Sequence, residues 1–188
     1  IINGDDNSFI YGRVIDELVF PLENIGIKRD EIEKKIKNIT SLFKLEKILH
    51  SNVKNISNSK RQVVMFAQAL ITDPNILLVD DAMNQMDVED KKLVFDILNM
   101  YKKNNNTTVL MSTHDVDDTL DSDKIIVMDK GNIVLNGSVI NVYKKRNKLE
   151  SIGVGIPFVI DVSLRLIDKG VIKYVYKDMR KLVDNIWK

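Results

Sequence analysis

Residues able to handle a phosphate gather at three places in this 188-residue chain. The apolar run Asn75-Ile76-Leu77-Leu78-Val79 ends on the adjacent carboxylates Asp80 and Asp81. Ligands of open α/β sheets bind outside the carboxyl ends of the strands, so a buried strand delivering two carboxylates there suits nucleotide hydrolysis. In that chemistry Asp80 holds a magnesium ion through water, and Asp81 orients or deprotonates the attacking water. The same dipeptide also fits a strand followed by an acidic turn. Met111-Ser112-Thr113-His114-Asp115 closes a second apolar run, with His114 lying 34 positions after Asp80. That interval holds one helix and a neighbouring strand, which brings His114 to the same sheet edge, its ring N–H within reach of a terminal phosphate. The plain alternative is a solvated or capping histidine. Ile56-Ser57-Asn58-Ser59-Lys60-Arg61-Gln62 opens an amphipathic helix, where Ser57 serves either as an N-cap or, with the free N–H groups beside it, as a phosphate contact.

These residues need a scaffold, and the periodicities supply one. From Lys28 the apolar positions Ile32, Ile36, Ile39 and Phe43 mark one helical face, with Asp30, Glu31 and Glu33 in its first turns. A second helix begins near Ser59, turns Val63, Val64, Phe66, Ala67 and Leu70 inward, and stops before Asp73-Pro74. Ile76 to Val79 reads as a parallel strand covered on both faces. Asp87 caps a helix with Val94, Ile97, Leu98 and Tyr101 inside, ending at Lys102-Lys103 and the turn-forming Asn104-Asn105-Asn106. Thr107 to Ser112 and Lys124 to Met128 are further strands, and Lys130-Gly131-Asn132 turns the second into a hairpin with Ile133-Val134-Leu135. Three short helical patterns follow Gly137, the last over about Lys177 to Trp187 with Met179, Leu182, Val183 and Ile186 on one face. Ile1 to Gly12 has no period, and Gly4, Asp5, Asp6 and Asn7 read as a loop after a strand end. The order predicts an α/β fold with a mainly parallel sheet.

Composition narrows the function classes. Hydrophobic residues at 44% and charged residues at 29% describe a globular chain rather than a disordered one. Lys and Arg number 28 against 27 Asp and Glu, so no basic face argues for nucleic acid. Cysteine is absent, which removes disulfides and thiolate metal sites. No apolar run approaches the roughly 18–20 residues that span a bilayer. The chain begins Ile1-Ile2, and nowhere carries the G-x-x-x-x-G-K-[ST] phosphate loop, so we expect upstream sequence to supply a strand and that loop.

Taken in order, the three clusters resemble the C-terminal part of an ABC-type (P-loop NTPase) ATPase domain. The signature lies at Ser57, the Walker B strand ends at Asp80, the D-loop aspartate is Asp87 and the switch histidine is His114. Asn3-Gly4-Asp5-Asp6-Asn7-Ser8-Phe9, then Val14-Ile15-Asp16-Glu17-Leu18-Val19-Phe20 and Leu22-Glu23-Asn24, are similar to the Q-loop region of energy-coupling factor (cobalt/vitamin-type) transporter ATPases, F-Q-N-P-D-N-Q-F and T-V-x-D-D-V-A-F-G-x-E-N. Ile152-Gly153-Val154-Gly155-Ile156-Pro157-Phe158 and Leu182-Val183-Asp184-Asn185-Ile186-Trp187 look like the family's I-G-L-D-V-P-F and closing L-V-N-E-L-W. That ending resembles the first of the two paired ATPase components, and the resemblance runs end to end.

The resemblance implies a partial ATPase domain over 1–147, with a helical signature subdomain at 24–72, and a C-terminal helical extension over 148–188. It implies ATP and Mg2+ as cofactors, with Asp81 and His114 catalytic and Asp80 at the metal. Asn3, Ser57, Asn58, Ser59 and Asp87 would contact nucleotide. It further implies a second ATPase subunit in a head-to-tail dimer, a transmembrane coupling protein and a substrate-binding membrane protein, at the cytoplasmic face of the cell membrane. ATP hydrolysis would drive uptake of a vitamin or transition-metal ion. Three departures weaken this activity. Asn3 stands at the Q-loop glutamine; Ile56-Ser57-Asn58-Ser59-Lys60 replaces L-S-G-G-Q, putting side chains where glycines let backbone approach phosphate; and Asp81 replaces a glutamate one methylene longer, which predicts slow hydrolysis. The alternative is a non-hydrolysing interaction subunit, or a gene remnant, that keeps the dimer and membrane-docking surfaces.

Overall fold

The computed structural model describes residues 1–3 and 9–187. The loop read at Gly4, Asp5, Asp6 and Asn7 lies outside the described residues. Packing divides the chain into two compact units, residues 1–113 and 114–188. This is a division by contacts, whereas that of 1–147 from 148–188 is one the family resemblance implies.

The first unit holds a three-stranded parallel sheet in the order β1 (Ile2–Asn3), β2 (Ile76–Asp80), β3 (Thr108–Ser112). Parallel neighbours need a crossover, and α4 (Val88–Asn104) provides it between β2 and β3. Helices α1 (Val14–Asn24), α2 (Arg29–Leu42) and α3 (Asn58–Leu70) fill the stretch between β1 and β2. Leu18, Leu22, Phe43, Val63, Phe66, Leu70, Leu77, Val79, Val94 and Ile97 form one buried cluster. The periodicities read for α2, α3 and α4 therefore face this core, and Asp87 caps α4 as expected by accepting the Asp90 N–H at 2.9 Å.

Two expectations need correction. The first is α1, to which the periodicity reading assigned no helix. Val14, Leu18 and Leu22 are buried at i, i+4, i+8, but Pro21 sits inside the helix. Proline lacks the N–H that a helix interior uses, which is why it reads as a break. The second is β2, expected to be covered on both faces. Leu77 and Val79 are buried, whereas Ile76 is 65% exposed and Leu110, on the same face of β3, is 61% exposed. The helices pack on one face of this sheet, and the other keeps its apolar residues uncovered.

In the second unit β4 (Ile125–Asp129) and β5 (Asn132–Gly137) form an antiparallel hairpin. Lys130 and Gly131 both take positive φ, 48° and 78°. That is the two-residue turn whose twist matches flanking strands, and it explains the glycine. The strand read at 124–128 thus pairs with its hairpin partner, not with the parallel sheet. Four helices follow, where the sequence suggested three: α5 (Val139–Tyr143), α6 (Arg146–Ser151), α7 (Phe158–Asp168) and α8 (Met179–Ile186). Val127, Val142, Tyr143, Leu149, Ile160, Leu164 and Leu182 build this unit's core. On α8 Leu182 alone is buried, and Met179, Val183 and Ile186 of the expected inner face remain substantially exposed. Among the described residues no helix is long and apolar enough to cross a membrane.

Candidate active site

The register of the parallel sheet assembles the first part of the site. Asn3 pairs with Asp80, and Asp80 with Ser112, so the last residues of β1, β2 and β3 stand in one row at the carboxyl edge. All three are exposed. The Ser112 hydroxyl donates to Asp80 Oδ1 at 2.5 Å, which orients the carboxylate along the edge. Asp80 is the only one of the two adjacent carboxylates that belongs to the strand.

Asp81 starts the turn that follows, with φ at 51°. Aspartate and asparagine enter this left-handed region more readily than other side-chain-bearing residues. Its N–H donates to the Ser112 carbonyl at 3.3 Å, and its Oδ1 accepts from Asn84 Nδ2 at 2.7 Å. The backbone is thus held by β3 and the carboxylate by the turn. The acidic-turn alternative describes the local structure, and the two carboxylates still stand at the edge where a ligand binds.

At the start of α3, Ser57 is exposed and its hydroxyl accepts the Lys60 N–H at 3.3 Å. The capping alternative is therefore realised. Asn58 is exposed, and its Oδ1 accepts from Arg61 Nη2. Ser59 behaves differently from expectation: it is buried, and its hydroxyl donates to Asp90 Oδ2 at 2.6 Å. A side chain expected to obstruct a phosphate at position 59 is turned into the protein. Lys60 Nζ donates to Asp90 Oδ1, also at 2.6 Å. Sequence reading assigned no role to Asp90; its position one helical turn after Asp87 was the available signal. Asp87 itself is exposed, and chiefly the hydrogen bond from the Asp90 N–H, with the Lys60 charge nearby, holds its carboxyl below the usual aspartate range despite some desolvation.

His114 belongs to the second unit, two residues past the end of β3, and is exposed. The next residue, Asp115, accepts the Asp117 N–H at 3.0 Å and caps a short 3-10 turn over Val116–Thr119. Another residue without an assigned role is Glu17, fully buried on α1. Burial pushes its carboxyl up, opposed by the N–H groups of Tyr11 and Ile10 and by the Gln68 amide on α3. It ties the segment leading into α1 to the helical core.

Among the described residues no cluster of three or more His, Cys, Asp or Glu side chains can cage a metal. A single strand-end carboxylate fits Mg2+, which is commonly held by one or two carboxylates together with water and substrate phosphates.

A family profile for ABC transporters matches residues 6–84. The energy-coupling factor transporter ATP-binding protein EcfA1 of Geobacillus kaustophilus (strain HTA426) is 29% identical over all of this chain and 67% of its own length. EcfA1 of Latilactobacillus sakei subsp. sakei (strain 23K) is 27% identical with the same coverage. Among solved structures, cbiO1 from Clostridium perfringens, part of the ABC transporter complex cbiONQ, superposes with a TM-score of 0.69 at 24% identity, over 90% of this chain and 64% of that one. The ATP-binding cassette MJ0796, in a post-hydrolysis state with ADP and Pi, gives a TM-score of 0.65 at 19% identity, over 72% and 61%. The chain therefore spans about two thirds of the length of the relatives it matches. The mainly parallel α/β fold expected from the sequence is the fold of these ATPases.

Proposed function

We propose, from the similarity of this chain to ABC transporter ATP-binding proteins, that it is the ATP-binding and hydrolysing subunit of an energy-coupling factor transporter. The observation that carries this reading is the row of Asn3, Asp80 and Ser112 at the carboxyl edge, with Asp81 beside it. Asp80 serves Mg2+, Asp81 orients the attacking water, and His114 contacts the terminal phosphate. Asn3 takes the Q-loop position. Ser57, Asn58 and Asp87 face the nucleotide of a second ATPase subunit paired head to tail, and Ser59 supports them from behind. Bound Mg2+ would offset charge on the phosphates; the chain's own part is to position it and the water. Residues 1–147 form the ATPase domain with its helical subdomain at 24–72, and 148–188 are an extension.

Membrane partners complete the assembly. An apolar groove of about 490 Å³ between α1 and α2, lined by Ile15, Val19, Ile32, Ile36 and Leu49 and edged by Glu33 and Lys37, suits one amphipathic helix of a transmembrane coupling protein. A substrate-binding membrane protein selects the vitamin or metal ion, and the ATPase sits peripherally on the cytoplasmic face.

A second reading, a non-hydrolysing interaction subunit, is favoured by one contact: Asn84 engages the Asp81 carboxylate that should act on water. ATP turnover by the full-length gene product with its partner ATPase separates the two. Hydrolysis that is present in the wild type and abolished in Asp81→Asn supports the first. ATP binding without turnover supports the second, and no nucleotide binding refutes both.

A further inference from the structure

The first turns of α3 and α4 are joined by a closed set of bonds around Asp90. This carboxylate is 5% exposed. Its Oδ2 accepts from the Ser59 hydroxyl and its Oδ1 from Lys60 Nζ, both at 2.6 Å. The Ser59 oxygen also accepts the Asp87 N–H at 3.2 Å, and Asp87 Oδ1 accepts the Asp90 N–H at 2.9 Å. Ser59 thus uses its hydroxyl twice, as donor to α4 and as acceptor from its N-cap residue. Only the carboxylate of this ion pair is buried: the Lys60 side chain is 36% exposed and the Asp90 side chain 7%. What the pair secures is relative position, since removing the Ser59 or Lys60 donor leaves the buried Asp90 charge without compensation.

The position secured here is that of two exposed helix starts. Ser57 and Asn58 lie on one side of the network, and Asp87 lies on the other. Ser59 and Lys60 stand where the family resemblance has glycine and glutamine. A glycine at position 59 could make neither bond. We infer that Ser59, Lys60 and Asp90 are positioning residues: they fasten the α3 start to the α4 start, so that Ser57, Asn58 and Asp87 meet the partner's nucleotide as one rigid edge. This rests on the proposed function in one respect, that this edge faces a nucleotide held by a second ATPase subunit. The two departures at 59 and 60 then form a built replacement, and restoring glycine at 59 harms the site.

The test uses the full-length protein with its partner ATPase and two readouts. Hydrogen exchange reads the fastening itself, and ATP-driven association, by light scattering, reads its purpose. Ser59→Gly, Ser59→Ala and Asp90→Asn should each speed exchange at both helix starts, residues 57–61 and 85–90. Each should weaken ATP-driven association about tenfold, the loss expected for one hydrogen bond to a charged group. Nucleotide-free pairing should not change. The double change Ser59→Ala with Asp90→Asn should be no worse than the worse single change, because both remove one network. Ser59→Thr, which keeps the hydroxyl, should retain more association than Ser59→Ala. The inference is overturned if exchange rises at one helix start alone, if Ser59→Gly tightens association, or if the single effects add. Should the wild type show no ATP-driven association, or associate equally with a partner lacking its phosphate-loop lysine, the trans-nucleotide reading fails, and the positioning role fails with it. Exchange coupled across the two starts would still uphold the fastening in that case.

Discussion

Lengthening the carboxylate at position 81 should change stability and turnover in opposite directions. Asp81 has φ at 51°, and its Oδ1 is held by Asn84 Nδ2 at 2.7 Å. Glutamate gains less than aspartate from local bonds in the left-handed region, so Asp81→Glu should cost about 1 kcal/mol. For a chain of this size that lowers Tm by about 2–4 °C. The extra methylene carries the carboxylate out of the turn and toward a water at the strand edge. A displacement of about 1 Å is worth on the order of 100-fold where positioning governs catalysis, so turnover should rise by roughly tenfold to a hundredfold. Asp81→Asn keeps the size and the Asn84 neighbour but removes the base, and should abolish the remaining activity. The assay is steady-state phosphate release by the full-length protein with its partner, beside thermal melts of the same variants. Equal turnover for Asp, Glu and Asn would refute the assignment of Asp81 to water activation. A faster Glu variant with an unchanged melt would refute the strain part alone.

Other outcomes follow from burial. Glu17 has a folded pKa raised above its ordinary value of 4.5, mainly by burial. Its favourable contribution is complete below 4.5 and is lost as pH rises through the raised folded value. Wild type should therefore lose stability relative to Glu17→Gln as pH rises above 4.5 in urea melts, and a constant difference would show that burial is not the cause. Tyr101, raised to about 12 by burial and by the Asp73 charge, should ionise near that pH in ultraviolet difference spectra. Tyr101→Phe should remove that step. Ile76→Thr with Leu110→Thr should reduce light scattering by this 188-residue chain without lowering Tm, since both side chains lie on the open sheet face. A marked loss of Tm would mean that this face is packed in solution.

What the sequence revealed depended on how local the cause was. The faces of α2, α3 and α4 and the β4–β5 hairpin follow from periods of 3.6 and from Lys130-Gly131, so they were legible. α1 was not assigned although Val14, Leu18 and Leu22 have helical spacing; it carries Pro21 inside, a residue that helix interiors usually exclude. The inward turn of Ser59 was beyond reach, since its cause is Asp90, 31 positions away. A continuous apolar run at β2 reports hydrophobicity, while coverage of its two faces depends on where helices pack and on how much of the domain a chain spans, here about two thirds of its relatives' length. The carboxylates at 80 and 81 were placed correctly at a strand end, yet their unequal settings, one on the strand and one in a left-handed turn, required coordinates.

The row formed by Asn3, Asp80 and Ser112 has a consequence for how such a chain diverges. Adjacent parallel strands lie about 4.8 Å apart, so the row spaces its three tips by backbone hydrogen bonds, whatever side chains they carry. Substitution at a tip alters one instrument and leaves the bench intact. A slip of one residue in β2 would turn Asp80 to the opposite face together with every other side chain of the strand. Selection can therefore relax on the letters at these positions long before it relaxes on the count of residues between them. Drift in such a lineage should accumulate as exchanges at the tips, with insertions and deletions confined to the connections between strands.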